Sequence, residues 1–277
     1  MRLGAPTFKK YCSAKDWIFD LQRLGYRAAY CPLDAKADTA TIQSFAAAAR
    51  QAGIVIAEVG AWSNPIDPRE EQRQTALSYC QQQLGLAEEI GAKCCVDVAG
   101  SKSEFWYGPH PLNLTPATFD LIVETTRKII DYVKPRRTFF TLETMPWIYP
   151  DSTESYLALI KAIARPQFAV HFDPANLISS PQNYYNNGSL VREFIKKLGP
   201  HIKSVHAKDT ILTGELTTHL KEVRPGLGTL DYATLLKAAN QVNPDLPLLI
   251  EHLETEEEYH LAAEYLRAVA RSCGELL

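Results

Sequence analysis

The chain has 277 residues, 46% of them hydrophobic, and a formal charge of −3, which suits one large core and a small-molecule partner. No run of Lys or Arg forms the basic face that a nucleic-acid binder uses to neutralise phosphates, and no segment approaches the roughly 20 apolar residues needed to cross a bilayer. With no apolar stretch of signal-peptide length at the N-terminus, a cytoplasmic protein is expected, bound neither to nucleic acid nor to membrane.

In chain order, apolar strand-like runs alternate with longer amphipathic stretches. RLGAPTF precedes 14–24, RAAYCP precedes 38–52, VIAEVG precedes 67–90 and CCVDVAG precedes 115–134. TFFTLE then precedes 153–163, FAVHFD precedes 187–198, SVHAKD leads through a long loop to a helix near 230–240, and PLLIEH precedes 255–272. Eight such units without a linker predict one domain over 1–277, a single α/β (β/α)8 barrel of TIM type; an open doubly wound sheet would carry fewer strands and a Gly-rich first turn. Asp151 or Ser152 is placed to cap the fifth helix, and Thr255 with Glu258 reads as a capping box for the eighth. Irregular loops are expected near 100–114, 174–186 and 210–229, on the face where barrel active sites are built. Cys12, Cys31, Cys80, Cys94, Cys95 and Cys273 lack CxxC spacing and read as buried free thiols.

Four of the strand-like runs end in a metal-capable side chain: Glu143, Asp173, His206 and Glu251. Alternation along a strand puts each at the C-terminal rim, above small or apolar inward residues such as Thr141, Ala169, Ser204 and Leu249. Unpaired carboxylates at close range repel, so their convergence predicts one divalent cation. Three carboxylates and an imidazole form a hard set suited to Mn²⁺ or Mg²⁺ and able to accept Co²⁺ or Zn²⁺.

The segments LETMPW, HFDPAN, SVHAKD, RPGLGTLDY and LLIEH, in this order and on these strands, resemble the xylose-isomerase-like barrel superfamily of sugar isomerases and epimerases, which also includes apurinic-site endonucleases. The resemblance covers nearly the whole chain. It implies that Glu143, Asp173, His206 and Glu251 hold the catalytic metal, and that Glu143 and Glu251 act as base and acid on a carbon beside a sugar carbonyl. Asn176 stands where the ketose 3-epimerases of that superfamily carry a substrate-binding His. Leu212 stands near the place of their Arg, and Tyr149 replaces a second Glu, so the sugar contacts must differ.

Other residues are candidates for those contacts. Lys208 faces the mouth, either polarising a substrate oxygen or pairing with Asp209. His171 reads either as a hydrogen-bond support or as a core histidine, and Arg224 either as a clamp for a carboxylate or phosphate or as an exposed loop residue. Glu58 would meet substrate hydroxyls or form an ion pair. Trp62, Trp106, Tyr107, Trp147 and Tyr149 would cover a sugar C–H face or pack in the core. Taken together, Lys208 and Arg224 would favour an acidic or oxidised substrate.

The expected function is a metal-dependent sugar isomerase or epimerase working through an enediolate, on a carbohydrate or other small polyhydroxy compound. The alternative is a lyase or dehydratase acting on a keto-sugar, keto-inositol or 3-keto glycoside. An apurinic-site endonuclease would need further histidines where EVGAW, DVAGS and Asn176 stand, and a non-catalytic barrel subunit would not need intact ligands. A homo-oligomer is compatible with all of these.

Overall fold

The computed structural model describes residues 1–277. Its elements run β1 (Arg2–Gly4), α1 (Ala14–Arg23), β2 (Ala28–Tyr30), α2 (Thr39–Gln51), β3 (Val55–Gly60), α3 (Glu70–Ile90), β4 (Cys94–Asp97), α4 (Pro116–Val133), β5 (Phe139–Glu143) and α5 (Thr153–Ile163). They continue with β6 (Phe168–Phe172), α6 (Pro181–Tyr185), α7 (Asn187–Leu198), β7 (Ile202–Ala207), β8 (Asp209–Thr213), β9 (His219–Val223), α8 (Tyr232–Val242), β10 (Pro247–Ile250) and α9 (Glu256–Ser272).

Eight parallel strands in the order β1-β10-β7-β6-β5-β4-β3-β2 curl into a nearly closed (β/α)8 barrel with the helices outside. Its seam, between β1 and β2, is joined by a hydrogen bond from Arg27 N to Leu3 O at 2.9 Å. The two backbones touch there: a Cβ on Gly4 would lie 2.3 Å from Ala28 O. The main apolar core of 63 buried residues includes helix residues such as Trp17 and Tyr156 packed on outward strand residues such as Val170 and Val205. No helix is long and apolar enough to cross a membrane.

Local signals explain most boundaries. Ser13, Asp38, Thr115, Ser152, Asp231 and Thr255 each accept a backbone N–H in the first turn of the helix they open. The expected box at α9 is only half formed, because the Glu258 carboxylate turns to Arg224 instead of back to the cap. The stretch 210–229 is not an irregular loop: most of it forms the antiparallel β8–β9 hairpin. All six cysteines are free, but only Cys80, Cys94 and Cys95 are buried; Cys12 is exposed and Cys31 and Cys273 are half-buried.

One irregularity positions the site. Ala29 pairs with Ile56 while Tyr30 pairs with Glu58, so β3 carries an extra residue at Ala57. The bulge lets Ile56 and Val59 both join the outer core while Glu58 turns into the barrel.

Candidate metal centre and its cavity

β5, β6, β7 and β10 are neighbours in the sheet, and their C-terminal ends bring Glu143, Asp173, His206 and Glu251 together. One ligand atom from each lies within 4.8 Å of all the others, and all four side chains are buried.

His206 is held from both sides. Its Nδ1 faces the cluster, 2.7 Å from Glu251 Oε1 and 3.3 Å from Glu143 Oε1, while Nε2 lies 3.0 Å from Glu58 Oε1. Glu58 Oε2 also receives Ser204 Oγ at 2.9 Å and meets His171 Nε2 at 3.1 Å. A carboxylate behind the imidazole fixes which nitrogen is offered to a cation. Burial alone would lower the His206 pKa, yet Glu251, Glu58 and Glu143 together push it well above its ordinary value. Glu58 itself would be raised by burial, but His206 and His171 hold it in the ionised form.

Lys208 is buried inside the cluster. Its Nζ lies 2.7 Å from Asp173 Oδ2, 2.6 Å from Glu251 Oε1 and 3.5 Å from Glu143 Oε1. Burial would lower its pKa, and Asp173, Glu143 and Glu251 raise it well above the usual lysine range. Glu143 is held well below its ordinary value, since Lys208 and His206 outweigh burial. Asp173 moves the other way, raised by burial and by its neighbours Glu143 and Glu251 against the pull of Lys208.

These short contacts do not meet hydrogen-bond angles: Asp173 Oδ2 and Glu251 Oε1 remain buried without a hydrogen-bond partner. Buried carboxylate oxygens without hydrogen bonds are costly unless a cation meets their lone pairs, and here the Lys208 ammonium does so for both, at 2.7 and 2.6 Å. Three carboxylates, one oriented imidazole and two orphaned oxygens therefore fit a divalent ion.

Above the cluster opens a cavity of about 800 Å³. Glu143, Glu251, Lys208, Asn176, Trp62 and Trp147 all line it. Asn176 Nδ2 donates to Glu143 Oε1 at 3.2 Å. Three other candidates are placed elsewhere. Glu58 and His171 are fully buried beneath the cluster, where the β3 bulge and the inward face of β6 put them, so they support His206 and do not reach a substrate. Arg224 pairs with Glu258 at 2.8 Å and does not line the cavity. Arg224 is thus paired away from the cavity, whereas Lys208 lines it and pairs with carboxylates of the cluster.

Sequence reasoning missed several lining residues. Glu222 reaches the mouth because β9 folds back over it, and His252 Nδ1 lies 3.0 Å from Glu222 Oε1. Tyr30 and Tyr259 complete the wall, with the Tyr30 ring 6.4 Å from that of His206. His252 was visible beside Glu251 in LLIEH; Tyr30, Tyr259 and Glu222 carried no signal of their own.

Fold and cluster together define a β/α barrel with a candidate metal site at its C-terminal rim, and the chain belongs to the xylose isomerase-like TIM barrel family, whose profile matches residues 19–269. A probable L-ribulose-5-phosphate 3-epimerase of Mycoplasma pneumoniae is 25% identical over 178 residues, which cover 64% of this chain and 52% of that protein. The chain therefore matches about half the length of this curated relative. Among solved structures, a xylose isomerase-like TIM barrel protein from Mycobacterium smegmatis in complex with magnesium is 18% identical with a TM-score of 0.66, covering 95% of this chain and 91% of that one. The 3-keto-D-glucoside 4-epimerase of E. coli is 16% identical with a TM-score of 0.67, covering 97% and 99%. At these identities the structural likeness shows the fold.

Proposed function

We propose that the protein is a divalent-metal-dependent sugar isomerase or epimerase that removes and returns a proton at a carbon beside a carbonyl. The observation that carries this reading is the pair Glu143 and Glu251, two carboxylates that line one cavity and share one four-residue cluster. The magnesium complex and the epimerases named among the similar proteins support it.

A bound cation, Mn²⁺ or Mg²⁺ by the hardness of the donors, would polarise the substrate carbonyl and stabilise the enediolate, without which the carbon acid is too weak for a carboxylate. The chain's own residues do the rest. Asn176 and His206 hold Glu143 through Oε1, leaving Oε2 to take a proton. His206 and Lys208 lie 2.7 and 2.6 Å from Glu251 Oε1 as charge partners without hydrogen-bond geometry, while Oε2 is turned toward His252 at 3.5 Å. Two carboxylates whose neighbours crowd chiefly on Oε1 serve as acid and base on the two sides of a substrate. Lys208 and His206 keep Glu143 ionised before the proton is moved.

The test is incubation with a panel of keto sugars and a divalent cation in deuterated water. Deuterium should appear at a carbon next to the carbonyl, and Glu143→Gln and Glu251→Gln should each abolish it while the circular dichroism spectrum remains that of the folded protein. Turnover without solvent label would contradict the proposal. Loss of water or of a leaving group after labelling would instead identify the lyase or dehydratase variant, which begins with the same proton removal.

A further inference from the structure

The cavity has two chemically different halves. Over β5 to β10 its wall carries Glu143, Lys208, Glu222 and Glu251; over β3 to β5 it carries Trp62, Trp106, Tyr107 and Trp147, on the loops after three adjacent strands. Trp62 is 40% and Trp147 38% exposed, so two indoles stand open to solvent inside a concavity. Exposed apolar surface gathered in one place marks where a ligand is to be covered.

The rings are held in place. The Trp62 indole lies across Gly60, where an added Cβ would sit 2.3 Å from Nε1, so only glycine at the end of β3 admits this pose. Trp147 Nε1 donates to the Tyr107 carbonyl at 2.8 Å and ties the loop after β5 to the loop after β4. Trp106 packs edge-on against Tyr107, their centroids 4.7 Å apart. The loop below is braced where Ser101 Oγ and Asn113 Nδ2 both donate to Gly108 O, at 2.6 and 3.0 Å. Rings fixed in this way lose little freedom when a ligand arrives.

Size points the same way. The cavity's volume of about 800 Å³ stands high in the roughly 300–1,000 Å³ range of ligand sites. A cavity of that volume has room for a drug-sized ligand, more than a single sugar ring.

We propose that the aromatic half is a subsite for a second ring, and that the substrate is a glycoside: a carbonyl-bearing sugar at the carboxylate cluster, joined through its glycosidic bond to a sugar or aryl ring lying on Trp62 and Trp147. The C–H face of a sugar and the face of an aryl group share the apolar, flat surface that an indole covers. The inference rests on the proposed function only for the end of the molecule that bears the carbonyl.

The test reads binding without turnover, using the intact protein and unoxidised probes. Dissociation constants are measured calorimetrically for methyl β-D-glucopyranoside, phenyl β-D-glucopyranoside and cellobiose. At least one of the two ring-bearing probes should bind about tenfold more tightly than the methyl glucoside, and Trp62→Ala and Trp147→Ala should each reduce that ratio to about twofold or less. Preference for phenyl or for cellobiosyl identifies the second ring as aryl or sugar. Equal affinities for all three, no measurable binding of either ring-bearing probe, or a preference that survives in both variants overturns the subsite. If the ring preference holds while solvent deuterium never enters a substrate, the isomerase reading falls and the subsite stands; labelling without ring preference gives the reverse.

Discussion

A single carboxylate, Glu58, decides which nitrogen of His206 faces the cluster, since it accepts from Nε2 and leaves Nδ1 toward Glu143 and Glu251. Glu58→Gln keeps the shape but has only one acceptor oxygen for two imidazoles and a serine hydroxyl. Divalent-ion affinity should fall about 10–100-fold, the usual effect of losing a partner that orients a ligand, with a normal circular dichroism spectrum. Calorimetric titration giving wild-type affinity would refute the role. The four candidate ligands were legible because each closes an apolar run, whereas the Glu58–His206 contact joins residues 148 positions apart and leaves no local pattern. Asp97, at the end of β4, is a second buried carboxyl: Oδ1 accepts from Ser63 N and Val98 N, and Oδ2 meets Cys80 Sγ at 3.2 Å. Burial pushes its pKa well above the ordinary 3.8, and these hydrogen bonds offset it only in part. The folded state therefore keeps a proton that the unfolded chain has already released, so this group lowers stability as pH rises from 3.8 through its folded value. Asp97→Asn retains the backbone acceptor and cannot ionise. In urea melts between about pH 4 and 8, the stability of the variant relative to wild type should rise with pH; parallel profiles would refute the account.

Among the elements, the helices were the most legible, because capping residues and apolar periodicity coincide. The β8–β9 hairpin was not, because most of its residues point to solvent or lie half-buried and no apolar alternation marks a strand. Tertiary contacts specify it instead. Asp209 accepts from Thr210 N and Leu230 N at Oδ1 and from Gly226 N at Oδ2, latching the hairpin base to the turn before α8. Gly228 permits the approach, since a Cβ there would fall 2.3 Å from both Asp209 Oδ1 and Thr210 O. Asp209→Ala strands three backbone donors and should cost about 2–4 kcal/mol, with Asp209→Asn in between because it keeps one acceptor oxygen. Hydrogen exchange at β8 and β9 amides should accelerate more than at β5 and β6. Uniform protection in the alanine variant would show that the hairpin does not depend on this latch, and that Glu222 is held over the mouth by other means.

In the whole molecule, parallel strands gather charge at one end: Glu143, Asp173 and Glu251 face Lys208 and His206 inside a barrel whose other contacts are largely apolar. The fold as a whole bears any imbalance there, because moving one carboxylate away means moving the strand that carries it. A cation that binds only the native state stabilises it by about 2.7 kcal/mol at 100-fold excess over Kd, and each kcal/mol raises the melting temperature of a barrel this size by about 2–4 °C. Lys208 sets how large that response is, since its Nζ presses on Asp173 Oδ2 and Glu251 Oε1, two of the oxygens an ion would use. Lys208→Met takes away this counter-charge, so the chelator-treated protein should melt at a lower temperature than chelator-treated wild type. The loaded variant keeps its cation and loses less, and its affinity for the ion rises because no ammonium competes. The cation-induced increase in melting temperature should therefore be larger in Lys208→Met than in wild type, measured side by side with chelator and with excess Mn²⁺. Equal increases in the two proteins would mean that the lysine and the ion do not share those oxygens, and that Lys208 is placed for the substrate instead.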